Sequence, residues 1–328
     1  MLLDKFGRQI TYLRISLTPS CNLRCVYCMP PEGIPTPDPD DLLTDDEILS
    51  FVEQAASLGI RHVRLTGGEP LLRRSLVDLV EGISAIPGID EVSLTTNAML
   101  LAKYAAALAG AGLSRVNISL DTLDPEKFTR ITRGGQLEKV FQGIAAAETC
   151  GLAPIKINSV IVGGLNDEEI PDLAKLTLDH QWHIRFIELM PVGNAQDWGP
   201  EFPPFEQRFI SVQEMKTRLS FLALQPTESP KGNGTARNYR IPHALGTVGF
   251  ISPLGEHFCN NCNRIRLTAD GSLRPCLLMD TEISIKDVLD NDQILTKYII
   301  ETVAIKPEGH ELTLKHYPET RLMAQIGG

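Results

Sequence analysis

No stretch of the 328-residue sequence reaches the ~18 consecutive apolar residues of a membrane-spanning helix. The opening run Met1-Leu2-Leu3-Asp4-Lys5-Phe6-Gly7-Arg8 lacks the apolar segment of a secretory leader. A membrane location is therefore not expected, and the reducing cytoplasm is. Positive charge is also scarce: 31 Lys and Arg face 41 Asp and Glu, a net charge of −10 with pI near 5.3. Such a balance argues against a general binder of nucleic acid or membrane surfaces. Internal repeats and low-complexity tracts are missing. Cysteine is sparse and odd in number, seven in all, which argues against a disulfide scaffold where no leader is expected.

Six of those cysteines fall into two trios. Cys21, Cys25 and Cys28 form a C-x3-C-x2-C loop directly after an expected strand, Thr11–Leu17. Three thiolates from one loop can hold three irons of a four-iron, four-sulfur cube and leave the fourth iron open to a small molecule. Cys259, Cys262 and Cys276 repeat the count near the other end. Structural zinc sites are closed by four ligands, and neither trio has an obvious fourth. His257, two residues before Cys259, could complete a zinc site there. The spacing favours an iron–sulfur cluster at the first trio and leaves iron and zinc both open at the second. Cys150 belongs to no motif and reads as a small buried apolar residue.

Short β-branched runs alternate with helical patterns. The expected strands are Thr11–Leu17, His62–Thr66, Glu91–Thr96, Arg115–Leu120, Ile155–Val162 and Ile184–Leu189. The clearest helix starts at Thr44, with Glu47 three residues on as a capping box, and continues through Ile48, Leu49, Val52, Ala55 and Ala56. Serial β–α units predict a parallel sheet with right-handed crossovers. The fold class is α/β: an incomplete (β/α)6 barrel of the TIM type over residues 1–200, with a flat doubly wound sheet as the alternative. Strand ends carry Thr66-Gly67-Gly68-Glu69-Pro70, Thr95-Thr96-Asn97, Ser119 with Asp121, and Glu188 with Met190. Gathering these and the cysteine loop on one rim favours the barrel. After Met190 the rhythm breaks in a Pro- and Gly-rich linker over residues 191–204. Residues 201–328 are expected to form a smaller α+β domain carrying the second trio. There the Asp270-Gly271 hairpin signal would return Cys276 toward Cys262.

With these residues in hand, the chain resembles the radical S-adenosylmethionine (SAM) superfamily, and within it the cyclases that act on GTP at the start of molybdenum cofactor biosynthesis. The features are Cys21-Asn22-Leu23-Arg24-Cys25-Val26-Tyr27-Cys28-Met29-Pro30, Gly67-Gly68-Glu69-Pro70, Arg185-Phe186-Ile187-Glu188-Leu189-Met190, Cys259-Asn260-Asn261-Cys262-Asn263-Arg264-Ile265-Arg266 with Cys276, and the ending Ile326-Gly327-Gly328. The likeness runs from about Asp4 to the last residue. It implies two [4Fe-4S] clusters, one on Cys21, Cys25 and Cys28 and one on Cys259, Cys262 and Cys276. It also implies SAM chelated to the open iron of the first. Tyr27 would lie beside adenine, Ser119 on the ribose and Met190 against SAM. Gly68 would let the backbone approach the methionine part.

The resemblance further implies GTP as substrate, its guanine facing the open iron of the second cluster, which accounts for the missing fourth ligand better than zinc does. A triphosphate in an acidic protein needs local positive charge, and Arg suits bidentate oxyanion contacts. Arg14, Arg64, Lys156 and Arg185 each lie on an expected strand, and inside a barrel they are costly unless an anion meets them. Pairing with Asp or Glu would explain any one singly; four together fit an anion site better. Thr95, Arg264, Ile265 and Arg266 would complete the substrate contacts, with Arg14, Arg264 and Arg266 as candidates for the late chemistry. The Gly327-Gly328 tail, otherwise an ordinary frayed end, would reach into the active site and be needed for turnover.

The implied reaction is reductive cleavage of SAM, hydrogen abstraction from ribose C3′, and closure of C3′ onto guanine C8, giving 3′,8-cyclo-7,8-dihydro-GTP. The implied partners are a flavodoxin- or ferredoxin-type electron donor and, by product hand-off, cyclic pyranopterin monophosphate synthase. A homodimer is left open, and neither nucleic acid nor membrane is expected to bind. The rival readings are a radical SAM peptide-modifying enzyme with an auxiliary cluster, which usually has more C-terminal cysteines, and a non-catalytic metal-binding scaffold.

Overall fold

β-branched runs and amphipathic helices alternate because each strand must bury one face under the helix that follows it. The computed structural model describes residues 1–35, 37–192, 198–229, 234–255, 258–310, 312 and 318–327, without the side chains of Phe205 and Glu206. Strands β1 (Tyr12–Ser16), β2 (His62–Thr66), β3 (Glu91–Thr96), β4 (Arg115–Ser119), β5 (Lys156–Ile161) and β6 (His183–Glu188) lie side by side in chain order, all parallel. Each falls within about a residue of its sequence expectation. Helices α1 (Asp45–Leu58), α2 (Leu76–Ala85), α3 (Leu101–Gly110), α4 (Pro125–Thr132), α5 (Leu137–Thr149) and α6 (Ile170–Asp179) connect them. The start of α1 is the capping box read from sequence: the Thr44 hydroxyl accepts from the Glu47 N–H at 3.2 Å, and the Glu47 carboxylate accepts from the Thr44 N–H at 2.7 Å. The helix stops at Gly59, whose φ of 115° suits a residue without Cβ.

The C-terminal strands are β7 (Gln225–Pro226), β8 (Arg237–Arg240), β9 (Thr247–Ile251), β10 (Arg264–Leu267), β11 (Ser272–Arg274) and β12 (Ile283–Ser284). They do not form a separate layer. β9 pairs parallel with β6 and β10 pairs parallel with β1, so the sheet order is β12-β11-β10-β1-β2-β3-β4-β5-β6-β9-β8-β7. Both edges of the six-stranded unit, which would otherwise expose unpaired N–H and C=O groups, are thereby covered. β10 and β11 form the expected hairpin, with Gly271 at φ +82° in the turn.

Period-two alternation splits the strand residues between two faces. Leu13, Ile15, Val63, Leu65, Leu94, Val116, Ile118, Ile157, Ile184, Phe186 and Ile265 enter one aliphatic core with the helices. On the other face the register aligns Arg266 with Arg14 and Arg14 with Arg64, and pairs Asn117 with Lys156 and Asn158 with Arg185. Side chains of β10, β1, β2, β4, β5 and β6 line a single cavity. A flat sheet would hold β10 and β6 roughly 29 Å apart at ~4.8 Å per strand, so the sheet is curled around that cavity. Among the described residues, no helix is long and apolar enough to cross a membrane.

Candidate active site

Beyond Ser16 at the end of β1, the chain enters the first cysteine loop. The Leu23 N–H donates to the Cys21 sulfur at 3.4 Å, and the Asn97 side-chain amide approaches it at 3.7 Å. Cys21, Cys25, Cys28, Tyr27, Gly68, Ser119 and Met190 line one cavity of about 170 Å³, room for far more than a trapped water. Burial pushes all three thiols up. Cys28 reaches about 12 through burial and then the neighbouring charge of Cys21. Cys25 also rises well above the ordinary range, from burial and then the charges of Cys28, Asp121 and Cys21. Thiols crowded in this way resist joint ionisation until a cationic guest relieves them. Among the described residues no three His, Cys, Asp or Glu side chains converge as a single-ion site. In a four-iron cube the three thiolates bind three different irons, so this donor set fits the larger guest.

The Tyr27 hydroxyl donates to Asp121 Oδ2 at 2.6 Å, while Asp121 Oδ1 accepts from the Val160 N–H at 2.8 Å. Burial raises the Asp121 carboxyl to about 6 although both bonds act downward. Glu69, fully buried, accepts from the Thr96 hydroxyl (2.7 Å), the Asn97 N–H (2.8 Å) and the Leu71 N–H (3.1 Å). It thus staples the loop after β2 to the loop after β3, and burial lifts it to about 7 against those three bonds. Gly68 is required for a reason the sequence did not disclose. A Cβ there would meet the carbonyl oxygens of Ser20 and, at 2.6 Å, of Pro19. The Gly68 N–H donates to Thr18 O at 2.6 Å and the Glu69 N–H to Ser20 O at 2.8 Å. The first obstacle to a side chain is therefore the backbone leading into the cysteine loop, not a bound molecule.

A second cavity, of about 150 Å³, adjoins the first and shares Asn158, Ile187 and Met190 with it. At one end are Cys259, Cys262 and Cys276; along the wall are Arg14, Arg64, Lys156, Arg185, Arg264 and Arg266. The Tyr12 ring lies 5.5 Å from both the Arg64 and the Arg264 guanidinium. Arg115 also reaches the cavity, but it is held by Glu91 through two bonds of 2.6 and 3.1 Å. Arg185 keeps Nε and Nη2 buried with no hydrogen-bond partner. Burial, with neighbouring cations adding to it, depresses Lys156 to about 6, Arg185 and Arg266 to about 9, and Arg64 to about 10. A buried cationic wall of this density calls for a guest bearing several negative charges. At the trio, burial acts upward on Cys262, but the Lys306 and Arg264 charges outweigh it and bring the thiol below its usual value. Cys276 stays raised by burial despite Lys306.

The C-terminal segment lines the first cavity and is held by Arg266 of the second. Met323 and Ala324 line the first. Arg266 Nη1 donates to the carbonyls of Ile326, at 3.1 Å, and of Gly327. Gly327 sits at φ +70°, where a Cβ would strike Thr66 at the end of β2. Gly328 and His257 fall outside the described residues.

Two family profiles cover most of the chain: the Radical SAM superfamily over residues 15–177 and Molybdenum Cofactor Synthesis C over residues 182–312. The GTP 3′,8-cyclase of Listeria monocytogenes serotype 4b is 47% identical across 100% of this chain and 99% of its own length. Those of Alkaliphilus oremlandii and Moorella thermoacetica are each 47% identical across 99% of both chains. The chain belongs to the GTP 3′,8-cyclase family of radical SAM proteins. Streptococcus suis SuiB bound to S-adenosylmethionine shares the fold at a TM-score of 0.62 and 16% identity, covering 86% of this chain and 65% of that one. SuiB bound to the precursor peptide SuiA gives 0.63 and 14%, covering 98% and 75%.

Within this family member, the sequence-derived candidates do not all sit where they were expected. Thr95, expected against GTP, lines the cavity of the first trio, its hydroxyl buried without a partner. Ile265 faces the aliphatic core, opposite to Arg264 and Arg266, so only its backbone is available to a guest. Tyr12 and Arg115 join the same cavity by the strand alternation that singles out Arg14 and Arg64. Asp121 was placed on the rim without a role. Lys306 had no local signal, because it follows the C-terminal helix Asp292–Ala304 and meets the trio only through the tertiary fold.

Proposed function

We infer that this chain is a GTP 3′,8-cyclase, acting at the first step of molybdenum cofactor biosynthesis. The observation that carries the reading is the adjacency of two cavities: one built on a cysteine trio, the other pairing a second trio with a wall of buried cations. In this reading the curled sheet is an incomplete (β/α)6 barrel and the C-terminal region closes it around a second [4Fe-4S] cluster. When bound, the first cluster and SAM supply the one-electron chemistry that removes a hydrogen atom from ribose C3′ of GTP.

The protein's own part is positioning. Tyr27, Gly68, Ser119 and Met190 orient SAM, with Asp121 fixing the Tyr27 ring. Arg14, Arg64, Lys156 and Arg185 take the triphosphate, and Cys259, Cys262 and Cys276 present the second cluster to guanine. The wall shared by the two cavities sets C3′ between them, so that C3′ can close onto C8. Arg264 and Arg266 stand beside the reacting base, and the C-terminal segment through Gly327, held by Arg266, helps exclude water. One electron, from a flavodoxin- or ferredoxin-type donor, and one proton complete 3′,8-cyclo-7,8-dihydro-GTP. The cyclised nucleotide is an isomer of GTP, so the decisive test is isotopic. Anaerobic incubation with dithionite, SAM and GTP deuterated at C3′ should place deuterium in 5′-deoxyadenosine and yield a chromatographically distinct isomer. Deuterium-free 5′-deoxyadenosine with unchanged GTP would overturn the assignment.

A further inference from the structure

Lys306 is 2% exposed, and its ammonium meets backbone carbonyls of the segments that carry the second trio. Nζ donates to the Arg264 carbonyl at 2.9 Å and to the Pro275 carbonyl at 2.6 Å. An ammonium has three N–H donors, and these two carbonyls flank the second trio's cysteines. Arg264 is two residues after Cys262 and opens β10; Pro275 directly precedes Cys276, just past the end of β11. The lysine therefore closes the open end of the hairpin on which two of the cysteines sit.

The same turn also holds the third cysteine. Arg8, anchored on the buried Asp4 carboxylate at 2.5 Å, donates to Cys259 O at 2.7 Å. It also donates to Pro307 O at 2.5 Å and Glu308 O at 2.9 Å. The turn that begins at Lys306 thus gathers all three cysteine segments. Neutral carbonyls alone are poor compensation for a buried charge, whereas three thiolates around an iron–sulfur cube are anionic and hydrogen bonds to the sulfurs tune its potential.

We propose that Lys306 is the positioning residue of the second cluster, holding the Cys262 and Cys276 segments at cluster spacing and countering the charge of the bound thiolates. The inference rests on the reading of the second trio as a cluster site, and the test separates the two. Lys306→Met keeps the bulk and removes the charge and donors. After anaerobic reconstitution the wild type should bind about eight irons per chain. The variant should fall to about four, or keep eight with the second cluster's midpoint potential moved to more negative values in an EPR-monitored titration. Eight irons at an unchanged potential would overturn the role of Lys306 alone. About four irons in the wild type would overturn the two-cluster reading and the inference with it. A readout independent of any substitution is pulsed EPR of reduced wild type carrying heavy-nitrogen lysine. Hyperfine coupling of a lysine nitrogen to the second cluster is expected, and its absence overturns the proposal even if the Met variant does not fold.

Discussion

Replacing Lys156 with Met should make the nucleotide-free protein more stable while weakening its hold on GTP. Lys156 is 3% exposed, and burial followed by the charges of Arg115, Arg185 and Arg64 lowers it from 10.5 to about 6. The folded value lies below the unfolded one, so the penalty is absent above about pH 10.5, grows as pH falls, and is complete below about 6. At pH 7 the protein sits roughly 3.5 units inside that window, an upper limit of ~5 kcal/mol at ~1.4 kcal/mol per unit. Relaxation of a polar cavity and its water reduces this to about 2 kcal/mol. For a chain of this size that is a rise of roughly 3 °C in Tm. Scanning calorimetry of reconstituted wild type and Lys156→Met at pH 7 and near pH 10 reads it directly. The gain should be present at pH 7 and nearly gone near pH 10. GTP affinity should fall by about 10- to 100-fold, the weight of a charge-assisted contact to phosphate. A variant that melts at or below wild type at pH 7, or that gains equally at both pH values, refutes the idea of cations held apart for an anion.

Tyr27→Phe and Asp121→Asn should each raise the KM for SAM by roughly tenfold or more, with a smaller change in kcat, because each breaks the 2.6 Å bond that sets the ring. The double variant should show coupling of about 1 kcal/mol or more; additive losses would mean that Asp121 does not act through Tyr27. For Glu69, raised from 4.5 to about 7, wild-type stability should decline as pH climbs through that interval. Glu69→Gln lacks this slope, so the variant should gain on wild type by up to ~3 kcal/mol between those pH values. A constant difference across the pH range would show that Glu69 ionises freely.

Much of the architecture is written locally. The strands of β1 to β6 announce themselves by β-branched runs, and α1 by Thr44 and Glu47, because backbone pairing and capping depend on residues only a few positions apart. The cysteine trios are legible for the same reason: Cys21, Cys25 and Cys28 occupy one loop, and Asp270-Gly271 folds Cys276 back toward Cys262. Arg14, Arg64, Lys156 and Arg185 could be gathered because strand alternation sends them all to one face. Gly68 shows where local reading stops. Its need for a bare Cα comes from the Pro19 and Ser20 carbonyls, a packing contact between two loops.

The element order, the two sets of three thiols and the cationic strand face can all be read from residues close together in the chain. That β9 completes one edge of the sheet at β6 while β10 completes the other at β1 emerges only on folding. The same holds for Thr95, which lines the first cavity, and for Lys306 and Arg8, which converge on the segments of the second trio. The physical reason is separation along the chain: Arg8 and Cys259 lie 251 residues apart, and no period or spacing encodes a contact made only after the sheet has curled.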